Sequence, residues 1–157
     1  MPHPIEEAYK MYADLLYRLA LSHLAHPEDA MDAVQDVFVK YSTSSPAFRD
    51  KEHERAWLIR VTINRCHDLQ RRRAIRRYEP LEDHADLADT TENTRPAVLE
   101  AVDTLPESQR DPVVLHYLEG FSIEETARIL RLSVSAVKMR LSRARDALRN
   151  AFGKEGL

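Results

Sequence analysis

The chain has 157 residues, 43% of them hydrophobic, a formal net charge of −3 and a single cysteine. That is enough apolar material for one ordinary or two small packed domains, and it argues against wholesale disorder. One cysteine excludes a disulfide framework and a cysteine-based metal cluster.

The overall charge hides a strong pattern. Residues 49–77 carry a net +6 and residues 128–149 another +6, while residues 78–111 between them carry −8. Two basic blocks separated by an acidic one point to contact with an anionic polymer at two places. The N-terminus lacks a basic stretch followed by an apolar run, so no secretory signal is expected. Nor does any apolar stretch approach membrane-spanning length. These features predict a soluble, cytoplasmic protein without membrane insertion.

With only three glycines and apolar residues recurring at helical spacing, the chain reads as all-α. A first helix is predicted over about Ile5 to Leu24, with Ala8, Tyr12, Leu15, Leu16 and Leu19 on one side. Pro27 suits the first turn of a second helix reaching about Tyr41. Its apolar stripe is Ala30, Val34, Val37, Phe38 and Tyr41, and Asp29, Asp32 and Asp36 line another face. Ser42 to Asp50, with Pro46, reads as a loop. The third helix runs from about His53 into the arginines at 71–77. Leu58, Val61, Thr62, Cys66 and Leu69 form its broad apolar side, and Arg60, Asn64, His67 and Arg71 recur along the opposite one. A stripe of donors around one asparagine suits phosphates and base edges, although a solvated helix face has the same pattern.

Between Glu79 and Asp103 the periodicity fails, and eight acids face one base. This segment is expected to be a linker. Helical character resumes over Leu105 to Leu118, where Pro112 predicts a kink or a helix restarting at Asp111. Gly120 suits the left-handed position that ends a helix. Ser122 with Glu125 forms a capping box for the next helix, in which Ile123, Ala127 and Leu130 share a face. After a tight turn, Ser133 caps a last helix. There Val137, Leu141, Ala144 and Leu148 make a core stripe, and Ser135, Lys138, Met139, Ser142, Arg143 and Arg149 stand opposite. Two capped helices with the second basic on its free side describe a helix-turn-helix. The bland alternative is an amphipathic pair inside some helical domain.

No catalytic constellation is visible: a Walker loop and a dinucleotide fingerprint are both absent. The seven histidines are scattered. His23 and His26 could share a helix face, but no nearby carboxylate spacing suggests a metal site, so an exposed pair at a helix end is expected. The acidic clusters lack the paired, desolvated setting of acid–base catalysis. The expectation is a non-enzyme without metal or cofactor.

Three blocks in order carry a resemblance: AHPEDAMDAVQDVFVKY, FRDKEHERAWLIRVTINRCHDLQRRR and LPESQRDPVVLHYLEGFSIEETARILRLSVSAVKMRLSRARDAL. Together they resemble the extracytoplasmic-function (ECF) sigma factors, the two-domain group of the sigma-70 family of bacterial transcription initiation factors. The resemblance implies a region 2 domain over 1–78, an acidic linker over 79–104 and a region 4 domain over 105–157. It implies binding of core RNA polymerase by Asp29, Asp32, Gln35 and Asp36. It also implies capture of a flipped −10 base by the loop from Ser45 to Glu54, and reading of the −10 element by Asn64 with Arg60, His67, Arg71 and Arg72. The −35 element would meet Ser135, Lys138, Met139, Ser142 and Arg143. An anti-sigma factor is a further implied partner. Arg131 departs from the family, which often has glycine in that turn; a left-handed non-glycine there costs about 1–2 kcal/mol. An autonomous helix-turn-helix regulator, which would dimerise to read half-sites, is the competing reading.

Overall fold

The computed structural model describes residues 4–44, 46–77 and 96–153, with 76, 77 and 151–153 by backbone only. Most of the expected linker, 79–95, and Ser45 of the expected base-capturing loop lie outside the described residues.

Three long helices form the N-terminal unit: α1 (Pro4–Leu24), α2 (Pro27–Ser44) and α3 (Lys51–Arg77). Each packs on the other two, because each buries an apolar stripe too wide to leave wet. Leu16 and Leu19 of α1, Val34 and Val37 of α2, and Leu58 and Ile59 of α3 lie at its centre, all at 1% exposure or less. Asp50 starts α3 by accepting the His53 N–H at 2.8 Å, and the preceding loop is held by rings. Phe48 packs 5.7 Å from Trp57 and 5.8 Å from Tyr41. Ala25 ends α1 in the left-handed region at φ 66°, a backbone state that a non-glycine residue seldom takes.

The C-terminal unit comprises α4 (Ala97–Asp103), α5 (Glu107–Val113), α6 (Ile123–Leu130) and α7 (Val134–Gly153). Helix α4 falls inside the stretch expected to be linker; its Val102 is buried, which fixes the segment's end to this unit. The expected restart at Asp111 does not occur. Helix α5 begins at Glu107, runs through Pro112, and widens into a π-type turn over Val114–Leu118. Pro112 removes one helical hydrogen bond, a cost of about 3 kcal/mol. Burial of Val113, Val114 and Leu115 offsets it, at about 1.5–3 kcal/mol per side chain. Gly120 then takes φ +80°, which frees the chain to turn toward α6.

Helix α6 starts on a complete capping box: Ser122 Oγ accepts the Glu125 N–H and Glu125 Oε1 accepts the Ser122 N–H, each at 3.0 Å. It ends at Arg131, in the left-handed region at φ 58°, ψ 44°. Ser133 then caps α7 by accepting the Ala136 N–H at 3.0 Å. Val137, Leu141 and Ala144 are buried against the rest of the unit, and Leu148 is half-buried.

The two units pack together through α3 and α6. Ion pairs cross the seam at Arg18–Glu119 (3.2 Å), Arg55–Glu125 (3.1 Å), Arg128–Glu52 (2.7 Å) and Arg71–Glu107 (3.3 Å). Helix α3 therefore buries residues on two sides. Ile59, Ile63 and His67 join Leu58, Thr62 and Cys66 below 9% exposure, while Val61 and Leu69 are only half-buried.

Candidate nucleic-acid interface

Helix α7 presents Ser135, Lys138, Met139, Ser142 and Arg143 to solvent. This exposure follows from the burial of Val137, Leu141 and Ala144 on the other side. The capping box sets where α6 begins, the left-handed Arg131 reverses the chain, and Leu132 N–H closes the turn on the Ala127 carbonyl at 2.9 Å. A basic helix projected in this way can enter a major groove, where lysine and arginine meet phosphates or guanine edges and methionine meets thymine methyls.

The stripe on α3 is divided. Asn64, Arg71 and Arg72 are exposed. Arg60 is half-buried and donates to the Ile129 carbonyl at 3.3 Å, and both burial and the Arg131 guanidinium pull its pKa down. His67, expected on the free side, is buried, and its Nε2 lies 3.1 Å from Asp111. The cause is the C-terminal unit, which covers this part of α3. A cavity of about 530 Å³ opens beside the seam, lined by Arg49, Arg55, Arg60, Arg128 and Arg131 among others.

The acidic face of α2 is also divided. Asp32 and Gln35 are exposed. Asp36 accepts from Arg65 at 2.8 Å, and Asp29 pairs with Arg73. Both arginines come from α3, so part of the acidic surface is neutralised inside its own unit.

His23 departs from the expected exposed helix-end pair. It is buried, and its Nε2 lies 3.0 Å from Asp111 Oδ1. Burial pushes the Asp111 carboxyl up, but its hydrogen bonds to His23 and His67 outweigh that and hold it down at about 2.

Residues 8–75 match the family model for sigma-70 region 2, and residues 95–148 match that for sigma-70 region 4. The ECF RNA polymerase sigma factor SigM of Mycobacterium tuberculosis is 35% identical over 153 residues, covering 96% of this chain and 78% of its own. The chain belongs to the extracytoplasmic-function sigma factors. SigV of Bacillus subtilis, another RNA polymerase sigma factor, is 29% identical, covering 90% of this chain and 86% of its own. Among solved structures, that of CnrH in complex with the cytosolic domain of CnrY is similar at a TM-score of 0.70 and 28% identity, covering 97% of this chain and 89% of that one.

The region 4 match begins at residue 95, ahead of α4, which agrees with α4 packing against α7. In this sigma factor the residues that sequence reasoning missed are Arg55, Asp111 and Glu119, which join the two units. The acid Asp111 follows Arg110 in an amphipathic stretch and gives no periodic signal of its own. No helix among the described residues is long and apolar enough to cross a membrane.

Proposed function

We propose that this sigma factor binds core RNA polymerase, reads promoter DNA at two elements and promotes its opening, with no catalysis of its own, in the cytoplasm. The observation that carries this reading is the free face of α7, where Ser135, Lys138, Met139, Ser142 and Arg143 are all exposed at the second position of a helix-turn-helix. They contact the −35 element. Asn64 reads the −10 element, and Arg60, His67, Arg71 and Arg72 hold the adjoining backbone once the C-terminal unit has moved off α3. Asp29, Asp32, Gln35 and Asp36 offer an acidic surface to a basic helical element of polymerase, which favours fast, oriented association. The loop that Phe48 pins to Trp57 and Tyr41 captures a flipped base, at a cost of a few kcal/mol in lost stacking. An anti-sigma factor would compete for these same surfaces.

Runoff transcription with purified core polymerase tests the proposal. Specific transcripts from a promoter that core alone ignores, weakened by Asn64→Ala, support it. A dimer that binds palindromic DNA tightly and never directs polymerase would overturn it.

A further inference from the structure

Three side chains from three helices converge at the seam: His23 near the end of α1, His67 in α3 and Asp111 in α5. One candidate ligand atom from each lies within 4.8 Å of the other two, and the side chains are 0%, 10% and 11% exposed. The ring orientations matter more than the proximity. His23 Nδ1 lies 2.9 Å from the Leu19 carbonyl oxygen. A carbonyl only accepts, so Nδ1 carries a hydrogen, and Nε2 meets Asp111 either as the second N–H of an imidazolium or as the free ligand atom of a neutral ring. That nitrogen lies 3.0 Å from Asp111 Oδ1.

His67 has a looser outer contact. Its Nδ1 faces Glu107 Oε2 at 3.4 Å and its Nε2 lies 3.1 Å from Asp111 Oδ2. Both imidazoles thus have an outer oxygen at Nδ1 and a shared inner carboxylate at Nε2. Placing hydrogens on all four nitrogens would crowd two imidazolium ions, ring centroids 6.0 Å apart, between the buried Asp111 and the half-exposed Glu107. A single divalent cation instead takes both Nε2 lone pairs and the carboxylate, and leaves each Nδ1 hydrogen on its outer oxygen. Metal-bound histidines are held in this way, by an oxygen on the ring nitrogen that faces away from the metal. Two imidazoles and one carboxylate suit a borderline ion such as Zn²⁺, with a fourth position left for water.

We propose that His23, His67 and Asp111 form a binding site for a divalent transition-metal ion, Zn²⁺ foremost, that pins the C-terminal unit against α3. The functional consequence rests on the reading of α3 as the −10 element reader. The pinned unit covers Arg60 and His67, so the metal-bound protein is the one in which that stripe is withheld from DNA. Losing the ion frees His67 together with the unit above it.

The test uses the full chain, stripped with a chelator, dialysed at neutral pH and titrated with Zn²⁺ against a chromogenic chelator. Small-angle scattering follows its compactness and circular dichroism its helix content. One equivalent is expected to bind and to reduce the radius of gyration. Asp111→Asn and His67→Gln are expected to weaken binding by more than about 100-fold with helix content retained, and Glu107→Gln by about 10-fold. Two variants in different units keep the test open if one fails to fold. Absence of stoichiometric binding, or equal binding by Asp111→Asn and His67→Gln, overturns the site. So does a compact form that responds to pH while taking up no Zn²⁺, since protons then fill the cluster. Zn²⁺ binding by a protein that directs no transcription would sink the functional reading and leave the site standing. Transcription without Zn²⁺ binding would sink the site alone.

Discussion

Arg55 and Glu125 join the two helical units through one carboxylate: Arg55 Nη2 lies 3.1 Å from Glu125 Oε2, while Glu125 Oε1 accepts the Ser122 N–H at 3.0 Å. The group that starts the first helix of the helix-turn-helix is therefore also a clasp on α3. The Ser122 backbone, first, and then its hydroxyl and Arg55 hold the Glu125 carboxyl below its usual 4.5. A depressed carboxyl contributes stability that is present above its unfolded value and lost as pH falls through the folded one. Acid below about pH 4.5 should thus weaken the start of α6 and the clasp together. Glu125→Ala should cost about 1 kcal/mol for the cap. A double-mutant cycle with Arg55→Ala should return no more than about 1 kcal/mol, because both side chains are about one-third exposed and water screens the pair. Denaturant titrations at pH 7 and pH 3.5 check both; a pH-independent cost for Glu125→Ala would contradict the linkage.

Two non-glycine residues sit in the left-handed region, Ala25 at φ 66° and Arg131 at φ 58°. Glycine at either place removes the steric penalty, so Ala25→Gly and Arg131→Gly should each stabilise the protein by up to about 1 kcal/mol. Arg131→Gly should also relieve the repulsion that helps to lower the Arg60 pKa. Thermal unfolding of each variant measures the gain. A fall in Tm for Arg131→Gly would mean that the arginine makes a compensating contact.

Tyr41 donates to Glu54 Oε2 at 2.7 Å. Burial and that hydrogen bond push its phenol up to about 12. Ultraviolet titration should show a late phenolate step near pH 12 from Tyr41. A raised phenol contributes stability that is present below its unfolded value of 10.0 and lost as pH rises toward 12. Tyr41→Phe should remove that alkaline loss, and with it the late step of the titration.

On α7, neighbouring residues should behave in opposite ways. Lys138→Ala and Arg143→Ala change exposed side chains and should leave stability within about 0.5 kcal/mol. Each should lower the salt dependence of DNA binding by about one counterion. Leu141→Ala, at a position 1% exposed, should cost about 2–5 kcal/mol of stability. Binding isotherms across salt, with urea unfolding in parallel, separate the two effects. A stability loss from Lys138→Ala equal to that from Leu141→Ala would place the wrong face in the groove.

The elements were legible because their signals are local. The pattern of Val137, Leu141 and Ala144, the pair Ser122 and Glu125 three residues apart, and the cap at Ser133 each lie within one or two helical turns. Helix boundaries on α1 and α3 follow within two residues for the same reason. On α3, however, helical spacing alone put His67 on a free face, since a solvated stripe and one covered by another domain have the same periodicity.

The sequence by itself determined the helices, their capping, the helix-turn-helix and the two basic blocks, because propensity, periodicity and capping act over a few residues. Only the tertiary structure decided that Arg60 lies under the C-terminal unit, that α5 runs through Pro112 into a wide turn, and that His23 meets Asp111 across 88 residues of chain and His67 meets it across 44. Such meetings depend on how whole helices pack, and packing is set by the summed burial of many side chains, none of which marks its partner in the sequence.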